Sequence, residues 1–193
     1  MKSVWSMAGL LAVLALFLVA CGGAAEPTPV PLQAYTDTEF GFALEYPTTW
    51  VQGTSEDGMV EFKSAADVQL DLEYDGGSLI QVMTLPTFLF EDTDPTAIMN
   101  EFKGDMLAGM QEEDDEAKVV EDVTAVTVNN NPAAKLILEA QQGSIQARAE
   151  VYIIVQGETA ALVMAAYPAS EAEDYQALVG RVVNTFSFVA VAE

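Results

Sequence analysis

The chain has 193 residues, with 30 Asp and Glu against 7 Lys and Arg, no histidine and a single cysteine, for a formal net charge of −23. That charge repels nucleic-acid phosphate and anionic lipid headgroups, which sets both aside as partners of the folded part. Without histidine, and with its one thiol assigned below, the chain lacks the parts for Ser-His-Asp and Cys-His nucleophilic machinery and for ordinary His/Cys zinc sites.

Lys2 is a short cationic start, and Met7 through Ala20 form an apolar run. A bilayer-spanning helix needs about 20 such residues, so residues 1–20 read as an export signal. Leu18-Val19-Ala20-Cys21 matches the bacterial lipobox, which makes Cys21 the expected lipid attachment site. An exported protein with one unpaired thiol carries a reactive group in an oxidising compartment, and lipidation consumes it. Two acyl chains at about 0.8 kcal/mol per CH₂ hold stably where one is marginal. Residues 21–34 then have the composition of a flexible tether, with Pro27, Pro29 and Pro31 at alternating positions that favour an extended chain. Residues 35–193 are long enough for one domain with its own core.

Within the domain, EFGFALEYP (39–47) alternates apolar and polar residues as a half-buried strand does, and Pro47 stops it. GMVEFK (58–63) suggests a second short strand. DVQLDLEY (67–74) alternates throughout, and Asp75-Gly76-Gly77 predicts a hairpin into SLIQVMTL (78–85). A helix follows, with Asp94 as N-cap, Pro95 at its first position, and Ile98, Phe102, Met106 and Met110 on one face. VEDVTAVTV, AAKLILEA, IQARAEVYIIV and TAALVMAAY read as four strands of an antiparallel meander, joined by turns at residues 129–132, 141–144 and 156–158. Ser170 and Glu173 have capping-box spacing before a last helix, whose apolar face is Tyr175, Leu178, Val179, Val182 and Val183. Phe186 and Phe188 alternate again at the end.

Strands grouped around one helix, with a second helix near the end, predict an α+β fold: an antiparallel sheet flanked by helices in an α/β/α sandwich. FGFALEYPTTW (40–50), the central strand–turn–strand with Pro132-Ala133 and Gly143, and the terminal Asn184-Thr185-Phe186-Ser187-Phe188 resemble the PsbP-like family, extrinsic photosystem II subunits and their bacterial relatives. The resemblance implies an extracytoplasmic domain that docks on membrane complexes, in some members with metal ions nearby. A histidine-dependent metal site does not carry over, since the chain has no histidine. No functional residue is transferred, and photosynthesis is not implied.

Four sets of residues invite a chemical reading. Glu112 to Glu116, five consecutive carboxylates, offer oxygen ligands to Ca²⁺ or Mg²⁺, yet neighbours in sequence do not readily converge on one ion, and a solvated loop accounts for them. Glu91, Asp92 and Asp94 are explained by capping and by the helix dipole. Met59, Met83, Met99, Met106, Met110 and Met164 are soft donors suited to copper(I), but several lie on predicted apolar faces as core filler. Phe42, Tyr46 and Trp50 either form an aromatic docking patch or, as expected here, are buried. The sequence reading is therefore a non-catalytic lipoprotein without a cofactor, anchored through Cys21 on the extracytoplasmic face of a membrane. Its expected partner is a membrane complex or envelope component. A cation- or small-ligand-binding lipoprotein is the alternative, and a carboxylate-dependent hydrolase, for which sequence selects no pair, comes third.

Overall fold

The structure, a computed structural model, describes residues 29–55, 58–68, 74 and 76–191. The predicted export signal, Cys21 and the expected tether through residue 28 lie outside them. Among the described residues the strands are β1 (Leu32–Asp37), β2 (Phe42–Pro47), β3 (Val51–Thr54), β4 (Val60–Lys63), β5 (Leu79–Pro86), β6 (Lys118–Val128), β7 (Asn131–Gln142), β8 (Ile145–Gln156), β9 (Thr159–Pro168) and β10 (Ser187–Phe188). Helix α1 (Pro95–Glu113) stands between β5 and β6, and α2 (Ala172–Val183) between β9 and β10.

Seven strands form one antiparallel sheet in the order β3-β4-β5-β9-β8-β7-β6, and β1-β2-β10 form a second, smaller one. The predicted meander is its β6-β7-β8-β9 half, paired in sequence. Asn129 and Asn130 both have positive φ, 45° and 66°, the two-residue turn whose twist suits a hairpin, so β7 begins at Asn131 and takes Pro132 into the strand.

β7, β8 and β9 alternate between two covered faces, while β6 at the sheet edge is mostly exposed. Ala149, Val151, Ile153 and Val155 of β8 pack with Leu136 and Leu138 of β7 beneath Ile98 and Met99 of α1. The other face buries Tyr152, Ile154, Val163 and Tyr167 against α2 (Val179, Val182, Val183) and against Phe42 and Leu44 of the small sheet. The expected α+β class, an antiparallel sheet between helices, is what the chain forms.

α1 starts as predicted: the Asp94 carboxylate accepts from the backbone N–H groups of Thr96 and Ala97, and Pro95 occupies the first turn. Other expectations need correction. Leu32–Ala34, assigned to the tether by composition, open β1, whose weak alternation and edge position hide it in the sequence. Glu39–Gly41 form a turn, and the strand there begins at Phe42. β3 is a short, mostly exposed edge strand that periodicity does not announce. The predicted DVQLDLEY strand lies outside the described residues except for Asp67, Val68 and Tyr74. Among the described residues β5 pairs with β4 through Leu79–Val82 and with β9 along its whole length.

The Ser170–Glu173 capping box does not form. A single tight turn, Ala169–Glu171, precedes α2, and the Ala172 N–H donates to the Ala169 carbonyl, so no side chain caps the helix. The acidic run is likewise not all loop, because Glu112 and Glu113 close α1 and Asp114 caps its C-terminus.

Candidate docking surfaces and a buried carboxylate

The acidic run has structural duties. Asp114 accepts from the backbone N–H of Glu116 through Oδ1 at 3.0 Å and from that of Gln141 through Oδ2 at 2.7 Å, tying the end of α1 to β7. Among the described residues no three Asp, Glu, Cys or His side chains gather closely enough to hold a metal ion. Asp92 accepts from the Thr93 and Asp94 N–H groups, so the Glu91–Asp94 stretch is a capping loop. Met99, Met106, Met110 and Met164 fill the core under α1. Phe42 and Trp50 are buried, Phe42 stacking on Phe186 with ring centroids 6.0 Å apart, and half-buried Tyr46 lies against Phe62. Phe42 and Tyr46 therefore pack into the core instead of forming an exposed aromatic patch, while Trp50, though buried, borders a groove beside α2.

The residues the sequence passes over are on β7 and β8. Glu150 is 1% exposed, on the α2 side of the sheet. Its Oε1 accepts from the Tyr152 hydroxyl and from Lys135 Nζ at 3.0 Å, and its Oε2 accepts from the Tyr167 hydroxyl at 2.9 Å. One ammonium and two phenols thus compensate a charge that is costly to bury alone. Burial, then the Glu150 charge, pushes both phenols well above the ordinary tyrosine range. Nearby on the same face, Glu139 accepts from Arg148 Nε at 2.8 Å and pairs with Lys118 at 3.0 Å. These donors hold its carboxyl below the usual carboxylate range, opposite to what a general acid needs. Every carboxylate oxygen of the cluster has a partner, and the cross-strand pairing can fix strand register.

The exposed features lie at opposite ends. β1 enters at Leu32 opposite Pro47, and its far end, Asp37, lies opposite Phe42, about 17 Å away at the usual strand rise. The turn after it reaches the end of β5, where the Thr84 hydroxyl donates to the Phe40 carbonyl at 2.6 Å. Immediately beyond, the Thr87–Leu89 turn is fixed by its own N–H to the Glu158 carbonyl at 2.9 Å and projects Phe88, 82% exposed, and Leu89, 57% exposed. Beside them is a shallow hollow of about 710 Å³ edged by Glu91, Asp92 and Glu158. At the entry end, residues expected to belong to the tether are bonded to the domain: the Pro31 carbonyl accepts from Thr48 N–H at 3.0 Å, and the Val30 carbonyl accepts from Arg181 Nη2 at 2.9 Å. Among the described residues no helix is long and apolar enough to cross a membrane.

No protein-family model matches the sequence, and no curated protein does. Solved structures match it. CyanoP, the cyanobacterial PsbP from Synechocystis, is 14% identical over 87% of this chain and 98% of its own, with a TM-score of 0.57. The fold is PsbP/Mog1-like. The Saccharomyces cerevisiae Ran-binding protein Mog1p is 13% identical over 84% of this chain and 97% of its own, also with a TM-score of 0.57. Mycobacterium tuberculosis LpqN, described as involved in cell envelope biogenesis, is 12% identical over 85% of this chain and 87% of its own, with a TM-score of 0.48. At these identities the likeness extends to fold alone.

Proposed function

We propose that this chain is a lipoprotein held through Cys21 on the extracytoplasmic face of a membrane, and that it acts as a non-catalytic docking module for a membrane complex or another envelope component. The observation that carries the reading is the apolar tip, Phe88 and Leu89, displayed at the end of the domain remote from the point where the chain enters it. Burying such a side chain is worth about 1.5–3 kcal/mol, and here that gain is left for a contact outside the monomer. The acidic edge beside the tip disfavours insertion into anionic lipid and suits an apolar socket with a basic rim on a protein. The anchor supplies local concentration, and the tip lies at the end remote from Leu32, where the described chain enters the domain.

The test is proximity crosslinking in intact membranes with wild type, Cys21→Ser and a Phe88→Ser/Leu89→Ser double variant. One defined membrane complex recovered with wild type, and lost with both variants, is the expected result. Recovery of the same neighbours with the tip variant would remove the tip from the function. Absence of any specific neighbour with wild type would remove docking itself.

A further inference from the structure

A second surface lies on α2, away from the tip. Between this helix and the Thr49–Trp50 turn runs a groove of about 750 Å³. Tyr175 and Leu178 floor it beside Trp50, Arg181 stands at one end, and Glu171 and Asp174 stand at the other. From Glu171 to Arg181 the helix rises about 15 Å, room for about five residues of polyproline II chain at 3.1 Å each.

The Arg181 end shows what backbone the groove accepts. Pro29 and Val30 line it in a Pro-Val-Pro run, and the Val30 carbonyl takes the Arg181 guanidinium at 2.9 Å. Among the described residues the other cations, Lys63, Lys103, Lys118, Lys135 and Arg148, all pair with carboxylates. Arg181 is instead committed to a carbonyl of an extended, proline-flanked segment.

The acidic end calls for a different occupant. Glu173 and Asp174 lie in the first turn of α2, where the helix dipole favours them, and that accounts for their presence without neutralising them. Residues 22–31 of this chain hold no Lys or Arg, and Glu26 adds a negative charge, so the chain's own tether does not complement that end. Aromatic floors receive proline-rich chain because its extended form is already ordered, and carboxylates beside such a floor select a basic residue next to the prolines.

We infer that the groove of α2, Trp50 and Tyr175 is a binding site for an extended, basic, proline-rich segment of a partner protein, seated alongside Pro29–Pro31. This surface is separate from the tip, and its test does not depend on the docking reading.

The probe is a capped hexapeptide of alternating proline and arginine, titrated into the full chain carrying Trp5→Phe and Cys21→Ser, which keeps the N-terminal segment unprocessed. Trp50 is then the only tryptophan and reports from the groove wall. The expected result is a saturable change in Trp50 emission. A glycine–arginine peptide of equal charge should bind at least about fivefold more weakly, since it must lose chain entropy to extend, and a proline–glutamate peptide should not bind. Glu171→Gln combined with Asp174→Asn, surface changes that leave the core intact, should weaken the proline–arginine peptide about fivefold. No saturable change, equal affinity for the glycine–arginine peptide, or an unaffected double variant would each overturn the site. Binding that appears only when Pro29 and Pro31 are replaced by glycine would also overturn it, by making the tether itself the occupant.

Discussion

The two faces of the seven-stranded sheet come from the same strands and are held by different physics. Toward α1, β7 and β8 present Ala134, Leu136, Leu138, Ala149, Val151 and Ile153, an aliphatic surface held by burial. One residue out of phase, the same strands turn Lys135, Glu139, Arg148, Glu150 and Tyr152 to the other side. Burial is indifferent to partner and tolerates swaps of similar volume. Buried polar pairing is not tolerant, and a one-residue slip in register would drive Lys135 and Glu150 under α1. The aliphatic face supplies stability, and the polar face specifies which register is the stable one.

The sharpest way to break that contrast is Glu150→Ala. It leaves the Lys135 ammonium and two phenols without their common acceptor and should cost about 3–5 kcal/mol in urea unfolding. Adding Lys135→Met should recover part of that loss, because it removes an ammonium left with only the half-exposed Glu121 carboxylate at 3.7 Å. Failure of the second change to recover stability would mean that Lys135 escapes to solvent and the pair is not coupled. On the opposite face, Ile153→Val removes one methylene and should cost only about 0.5–1.5 kcal/mol, with no partner able to rescue it.

The same contrast predicts where pH acts. Glu139 has a carboxyl lowered by Arg148 and then Lys118. Its contribution is complete above the carboxylate range of the unfolded chain, about pH 4.3, and disappears as pH falls through its lower folded value. Glu139→Gln should therefore flatten the acid limb of a melting-temperature profile. On the alkaline side, Tyr152 and Tyr167 are raised, and half-buried Tyr35, bonded to Asp37, is pushed up to about 12. Their contribution is complete below about pH 10, the unfolded tyrosine value, and disappears as pH climbs through the folded ones. Tyrosinate absorbance from these residues should rise together with unfolding, and a rise that precedes loss of circular dichroism would contradict their burial.

The legibility of the molecule follows the same division. β6 to β9 and α1 can be read because long periodic runs meet asparagine, glycine and proline at their ends. β1 and β3 cannot, since strands of 6 and 4 residues at a sheet edge bury too little to impose a pattern. The polar face was in principle legible: once the turn after Gln142 sets the register, Arg148 falls opposite Glu139, and Lys135 and Glu150 fall on its face. Strand assignment alone misses this, because charge complementarity exists only across the pair. The tip was silent for another reason: Phe88 and Leu89 sit in a connection, where apolar residues carry no period.

The smallest expected effect on stability belongs to the tip. Phe88→Ser should shift unfolding by less than about 0.5 kcal/mol, since an 82% exposed ring gives up few contacts when it is removed. A ring of that size on the α2 face, such as Phe42 or Phe186, would cost about 3–5 kcal/mol if truncated to alanine. The sheet faces are therefore sites where stability reports the change, and the tip is one where only an encounter with a partner does. A large loss of stability in Phe88→Ser would mean that the ring is packed within the monomer, and the outward-facing contact would lose its physical basis. An unchanged melting curve with lost membrane crosslinking would separate the two roles on a single residue.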